Sequence, residues 1–327
     1  DITLVPETRI ERIDRAEKRV ISGDRTWQYD HLMFATGARN LRPPIPGLEA
    51  TLDLRTLEDA GKLRARLDRP HRVAVIGGGF IGLEFAAVAA TLGHQVTVAE
   101  AAPRLMARAV SPEMSQLFLD MHEGLGTQVL LGTPVSEVRD DGITLSDGRA
   151  VQADLVLLAA GVRPNVELAE AAGLVIDNGI AVDAALRTSD PAISAVGDCA
   201  SFPEFGTGRR VRLESVQAAT DHARAVAKRI VKGETAPYCS VAWFWSDQAD
   251  WKLQIAGLAD PSDQSVMRDE QCVFRFRGDV LTAVETLNDA KTHMRARKCL
   301  ARHPAPSRAM LEAVEYDLAS LDERLPT

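Results

Sequence analysis

Gly77-Gly78-Gly79-Phe80-Ile81-Gly82 is the stretch whose residue types and spacing most directly imply chemistry. It fits G-x-G-x-x-G, and each glycine has a mechanical task. Gly77 permits a tight turn, Gly79 lets backbone approach a pyrophosphate, and Gly82 lets a helix pack close to a strand. A helix N-terminus placed there offers free N–H groups and partial positive charge to phosphate oxygens. Glu100 closes the next apolar run. Its carboxylate can accept hydrogen bonds from adenosine ribose hydroxyls and would repel a 2′-phosphate, so NADH is expected over NADPH. Arg104 is four residues on and could soften that preference. The alternative is a glycine-rich strand–helix turn with no ligand; the flanking strand, helix and acid argue against it. Cys199, Cys239, Cys272 and Cys299 are far apart and form no C-x-x-C, so neither a zinc site nor a local redox disulfide is expected. The seven histidines show no metal-ligand spacing and are read as structural or surface residues. No acid–base catalyst stands out, which suits chemistry carried by cofactors.

These residues need a strand–helix–strand unit to hold them. Residues 72–100 supply it. Val73-Ala74-Val75-Ile76 is an apolar run of the buried parallel-strand type, residues 83–92 read as a helix of small residues ending at Gly93, and residues 95–99 form the second strand. Residues 111–126 are amphipathic and predict a helix, and a long helix is expected from Ser215 to Val231, ended by Gly233. Leu41 to Gly47 is a proline-rich linker that cannot be helical, and Arg163-Pro164-Asn165 marks a second linker.

The chain also echoes itself. At a constant offset of 124, Ser22, Arg25, Gln28, Asp30, Ala35 and Gly37 meet Ser146, Arg149, Gln152, Asp154, Ala159 and Gly161. Both segments read as strand, turn, polar stretch, then an apolar strand ending in Ala-x-Gly. Strand–turn–strand units look alike by nature, but a duplicated nucleotide-binding unit is the favoured reading. The fingerprint of the second copy lies upstream of its repeat. An equivalent for the first copy would fall before position 1, so several tens of further N-terminal residues are expected. The fold class expected is α/β: two related Rossmann-like dinucleotide-binding domains, the first incomplete, plus a C-terminal α+β domain. The expected division is 1–45 and 166–239 for the first binding domain, 46–165 for the second, and 240–327 for the C-terminal domain. That last boundary rests on a change of composition, with three of the four tryptophans falling within 243–251.

Length and composition agree. At 327 residues, two or three domains are expected. Hydrophobic residues at 46% and charged residues at 26% argue against disorder. Lys and Arg total 38 against 46 Asp and Glu, and the net charge of −8 gives no support to nucleic-acid binding. No stretch approaches a membrane span. The first residues have neither the basic nor the apolar region of a signal peptide, and a reducing, cytoplasmic setting is the expectation.

The glycine motif and its surroundings resemble the NAD half of the two-dinucleotide flavoprotein oxidoreductases. Three further signatures agree. Residues 29–37, ending Ala35-Thr36-Gly37, resemble the strand-to-glycine junction beside FAD. Residues 188–199, containing Val196-Gly197-Asp198-Cys199, resemble the second FAD motif. Trp243-Phe244-Trp245-Ser246-Asp247-Gln248, preceded by Arg212-Leu213-Glu214-Ser215-Val216, resembles the ferredoxin reductases of bacterial oxygenase systems.

That resemblance implies roles residue by residue. Gly77, Gly79, Gly82, Glu84, Glu100 and Gly161 would bind NAD. Ile10, Thr36, Gly37, Arg55, Asp198, Val216 and Trp245 would bind FAD. Asp198 would hydrogen-bond the ribityl chain; otherwise it caps the next segment. Ile10 would lie by the adenine, or else be a strand core residue. Arg55 would contact FAD, or be a solvated residue before a helix. Val216 would present backbone N–H to the flavin pyrimidine end, where a helix N-terminus favours the negative charge of reduced flavin. Glu84 and Trp245 would position hydride transfer near the nicotinamide; their alternatives are a buried acid or helix-terminal charge, and a core tryptophan.

The implied activity is NADH-dependent. Hydride would pass from NADH to flavin, and electrons would go singly to a ferredoxin-type iron–sulfur protein. Such ferredoxins are usually acidic, so a local basic patch is expected despite the net charge. Arg224 and Lys228 are the leading candidates, with Arg209, Arg210, Arg295, Arg297 and Lys298 behind them. Competing readings are a rubredoxin reductase, an NADH oxidase, and a chain that holds FAD poorly. A disulfide reductase of the glutathione-reductase branch would need Glu five residues after the His of His303-Pro304, where Arg308 stands.

Overall fold

The computed structural model describes residues 2–324. The chain packs as two compact units, residues 1–39 with 163–240, and residues 40–162 with 241–327.

In the first unit an antiparallel meander of Arg12–Asp14, Arg19–Ser22 and Arg25–Gln28 leads into Leu32–Phe34. That strand runs parallel to Ile193–Ala195, with Met33 opposite Ser194. Phe34, Leu186, Ile193, Ala195, Phe202 and Val226 belong to the core beneath. The helix Val216–Lys232 starts where Ser215 Oγ accepts the Ala218 N–H at 3.1 Å, and ends at Gly233 with φ 70°. Both ends lie within a residue of the expected ones, because a serine cap and a left-handed glycine are local signals.

In the second unit, Leu155–Leu158, Arg72–Ile76, Gln95–Ala99 and Gln128–Leu130 form a parallel sheet in that order. Val73, Ala74 and Val75 are almost wholly buried, as a strand covered on both faces requires. The helix Phe80–Thr91 begins earlier than its apolar run suggested, inside the glycine motif, with Gly79 as its N-cap. The helix Pro112–Gly124 is capped by Ser111 and carries proline at its start. Residues 241 onward build a five-stranded antiparallel sheet ordered Trp243–Gln248, Trp251–Gly257, Val280–Leu287, Cys272–Arg277, Gln264–Asp269. The helix Ala290–Leu300 packs on it. Leu253, Ile255, Val273 and Leu287 of this sheet share one core with Val75, Leu83, Met114 and Phe118. A fully buried pair, Arg275 Nη1 to Glu285 Oε1 at 2.8 Å, ties this sheet to the capped helix, since Ser111 Oγ–H donates to Glu285 at 2.6 Å.

The internal echo is a repeat of structure. Val135–Arg139, Gly142–Leu145 and Ala150–Gln152 form a second antiparallel meander, again followed by a parallel strand, Leu155–Leu158. Gly37 and Gly161 end the two copies with φ of 63° and 104°. A residue with a side chain is disfavoured in that conformation, which explains why both copies keep glycine there.

Candidate active site

The glycine loop is shaped as its sequence requires. Gly77 has φ 111°, and a Cβ on it would lie 2.4 Å from the Ala159 carbonyl oxygen. A Cβ on Gly82 would lie 2.2 Å from the Gly77 carbonyl oxygen and 3.2 Å from Val75 Cγ1. These two positions are closed by packing. Gly79 is open, with nothing within 4 Å of a Cβ placed there. A pyrophosphate therefore has a bare approach to backbone at the helix start, and the residues fit a dinucleotide.

Glu100 reaches into this loop. The Gly78 N–H donates to its Oε2 at 2.5 Å, and the Ala102 N–H donates to its Oε1 at 2.7 Å. Two backbone donors fix the carboxylate at the end of the second strand. Arg104 is turned away from any softening role, because its guanidinium donates to the carbonyls of Val110 at 2.8 Å and Ala107 at 2.7 Å. Gly161 follows Ala159 at the edge of the loop. The exposed Arg108 comes within 3.5 Å of where a Gly161 Cβ would lie. Nothing in the one-dimensional pattern separates this cation from a solvated arginine, so only the fold reveals it.

Glu84 lies on the helix Phe80–Thr91 and meets the C-terminal sheet. Ser246 Oγ–H donates to Glu84 Oε1 at 2.6 Å. Burial pushes the Glu84 carboxyl above the ordinary range; the Ser246 bond opposes this and the Asp247 charge adds to it. The strand Trp243–Gln248 alternates. Phe244 packs on Phe80 at 4.5 Å, and Ser246 and Gln248 are fully buried. Trp245 projects from the other face, 37% exposed, with its ring 5.5 Å from that of Trp243. Arg55 is exposed, two residues before the helix Leu57–Arg66, and its N–H donates to Asp59 Oδ2 at 3.1 Å.

The remaining flavin candidates lie in the first unit. Ile10 is half-buried and precedes the first strand rather than lying in it. Thr36 and Gly37 are clamped by Asn165. Thr36 Oγ1–H donates to the Asn165 carbonyl at 2.7 Å, Asn165 Nδ2–H to the Thr36 carbonyl at 2.8 Å, and the Asn165 N–H to the Gly37 carbonyl at 2.9 Å. The segment read as a linker is thus the fastener of the glycine junction, a role visible only in three dimensions. Gly37 itself is open to approach, with nothing within 4 Å of an added Cβ. Asp198 sits on a short 3-10 turn, Gly197–Cys199. Two groups hold that turn: Arg212 donates to the Asp198 carbonyl at 3.1 Å, and the Gly197 N–H donates to His222 Nδ1 at 3.2 Å. His222 is fully buried, and burial lowers its pKa to about 4. Val216 is 66% exposed at the first position of its helix. This open glycine junction, held turn and exposed helix start fit a second dinucleotide.

The basic candidates differ among themselves. Arg224 and Lys228 are exposed one turn apart on that helix, with Asp221 3.7 Å from Arg224. Arg210 is committed to the carbonyls of Val182 and Ser201, and Arg209 lies 3.9 Å from Glu204. Arg297 lies over the Trp243 ring at 4.6 Å, beside Arg295 and Lys298 on the helix Ala290–Leu300.

Two nucleotide-binding repeats and an appended antiparallel sheet define a class, and the chain belongs to it. The pyridine nucleotide-disulphide oxidoreductase family matches residues 1–223, and the reductase C-terminal family matches residues 243–321. Rhodocoxin reductase from Rhodococcus erythropolis is 43% identical over 330 residues, covering 97% of this chain and 77% of that protein. The ferredoxin reductase for the CYP199A2 system from Rhodopseudomonas palustris superposes with a TM-score of 0.91 at 43% identity, covering 96% of this chain and 80% of that one. The reductase of a covalent putidaredoxin reductase–putidaredoxin complex superposes at 0.89 with 35% identity, covering 97% and 80%. The protein is an oxidoreductase of this family, with FAD and NAD(H) as its cofactors.

Proposed function

We propose that this chain is an NADH-dependent flavoprotein reductase serving a small acidic ferredoxin of an oxygenase system. Its likeness to rhodocoxin reductase and to the reductase of the putidaredoxin complex supports the ferredoxin-type partner. The carrying observation is the open glycine loop closed by Glu100. NADH held at the glycine loop would supply a hydride, and FAD held at the second dinucleotide site would supply the conversion of that electron pair to single electrons for the iron–sulfur partner.

The chain's own residues bind and orient. Gly79 and the start of the helix Phe80–Thr91 receive the pyrophosphate, while Gly77, Gly82 and Gly161 keep the backbone in place. Glu100 accepts the ribose hydroxyls and repels a 2′-phosphate, and Arg104, held elsewhere, does not offset that repulsion. Glu84 and Trp245 orient the nicotinamide. Asp198 bonds the ribityl chain, Val216 offers its N–H to the pyrimidine end, and Ile10, Thr36, Gly37 and Arg55 complete the flavin contacts. Arg224 and Lys228 attract the acidic partner. No helix among the described residues is long and apolar enough to cross a membrane, and the four cysteines are free thiols, which favours a reducing, cytoplasmic setting.

The test is an anaerobic half-reaction. The purified protein should show flavin absorbance that NADH bleaches far faster than NADPH. The bleached protein should then reduce a ferredoxin in preference to rubredoxin or oxygen. Absorbance indifferent to NADH would overturn the reading, and transfer only to oxygen would make the protein an oxidase.

A further inference from the structure

A line of buried polar side chains crosses the second unit. His122 Nε2 is 2.8 Å from Gln248 Oε1, Gln248 Nε2–H donates to Ser246 Oγ at 3.1 Å, and Ser246 Oγ–H donates to Glu84 Oε1 at 2.6 Å. His122, Gln248 and Ser246 are each fully buried, and they come from the helix Pro112–Gly124 and the strand Trp243–Gln248. Gln248 Nε2 lies 3.7 Å from Met106 Sδ, and Met106 and Phe118, the latter one turn before His122 on its helix, belong to the apolar core of the unit. Apolar side chains of similar volume would pack there without any need for hydrogen-bond partners. The line therefore calls for an explanation beyond packing.

The orientation of the Gln248 amide sets the donor and acceptor roles in it. The Gln248 amide nitrogen faces Ser246 Oγ and Met106 Sδ, so its oxygen faces the histidine. An amide oxygen brings no proton, so His122 must carry one on Nε2. Burial lowers the His122 pKa and so favours the uncharged ring, in which Nδ1 carries no proton; that nitrogen has no partner among the described residues. Ser246 uses a lone pair toward Gln248 and has a single proton, which goes to Glu84. Every hydrogen bond points the same way and ends on the carboxylate. If the amide flipped, the serine proton would turn to the amide oxygen and Glu84 would lose the Ser246 donor, keeping only the Asp247 backbone N–H.

We propose that His122, Gln248 and Ser246 are positioning residues that hold Glu84 ionised and in one orientation at the nicotinamide site. The part that concerns the nicotinamide rests on the function proposed above; the hold on Glu84 does not. A hydrogen bond given to a carboxylate favours its charged form and opposes the effect of burial. Asp247, on the packed strand, acts both ways: its charge works against the charged form of Glu84, while its backbone N–H supports that form, by less than the Ser246 bond does. The sheet under the helix presents Val73, Val75, Val96 and Val98, and Arg72 at its far end is paired with Asp154 at 2.6 Å. The Ser246 bond is thus the main support for charge on Glu84.

The experiment titrates the Glu84 carboxyl carbon by NMR in the flavin-loaded protein without NADH, with Glu84→Gln giving the assignment. Ser246→Ala should raise its midpoint by about one pH unit, and Ser246→Thr should restore it. His122→Phe should move it the same way by less, and His122→Gln, which keeps a donor, should leave it near the native value. An unmoved midpoint in Ser246→Ala overturns the proposal. A shift in Ser246→Ala with none in His122→Phe also overturns it, leaving a single local bond. In stopped flow, the acid limb of flavin reduction by NADH should follow the same order. A native protein that NADH fails to bleach would sink the proposed function and leave the carboxyl titration standing as a separate result.

Discussion

Gly79 and Gly82 are three residues apart, yet an added methyl would have opposite consequences. At Gly82 it strikes the Gly77 carbonyl oxygen at 2.2 Å, so helix and strand must separate. Gly82→Ala should lower stability by about 1–3 kcal/mol, as overpacking does, which denaturant titration would read. At Gly79 the methyl meets nothing within 4 Å, but under the proposed function it occupies the approach of a phosphate. Gly79→Ala should leave stability unchanged and raise the KM for NADH by about tenfold or more, the scale of losing a charge-assisted contact. If both variants lost stability equally and neither changed KM, the loop would be a structural turn alone.

At the level of elements, the turn Gly197–Cys199 depends on a helix that follows it in the chain. His222 Nδ1 accepts the Gly197 N–H, and the ring is packed edge-on against Phe202 and Tyr238, at centroid distances of 4.8 and 4.6 Å. The buried ring stays neutral, its pKa lowered to about 4 from an ordinary 6.5. The unfolded chain therefore binds a proton at higher pH than the folded one. The contribution to stability is full above pH 6.5 and is lost as the pH falls toward 4. Between pH 7 and pH 5 His222 alone should remove about 2 kcal/mol. His222→Gln keeps an acceptor for Gly197 and does not titrate, so its stability should fall less over that interval. His293, also pushed to about 4 by burial, would leave a residual slope in both proteins. Equal slopes in thermal melts at the two pH values would rule out His222 as the source.

At the scale of the molecule, a net charge of −8 opposes association with an acidic partner unless cations are gathered locally. The exposed face of the helix Val216–Lys232 carries Arg224 and Lys228. Arg224→Glu should slow ferredoxin reduction several-fold at low salt and flatten its dependence on ionic strength, since complementary charge acts mainly on encounter. Flavin reduction by NADH should not change. A native rate and salt slope would remove Arg224 from the docking surface.

The glycine motif, Glu100, the serine-capped helix at residue 216 and the repeat at an offset of 124 were readable from the sequence. Each is a local pattern whose cause is local: a backbone angle, a helix cap, an alternation of apolar residues. Asn165, Arg108 and the line from His122 to Glu84 were not readable. Asn165 fastens Thr36 from 129 positions away, and His122 meets Gln248 across 126. Such partners are set by how strands and helices stack, and nothing in the neighbouring residues of either one announces the other. Arg104 makes the same point from the opposite side. Its position in the chain suggested a role beside Glu100, and only the fold decided that its guanidinium would be spent on the carbonyls of Ala107 and Val110.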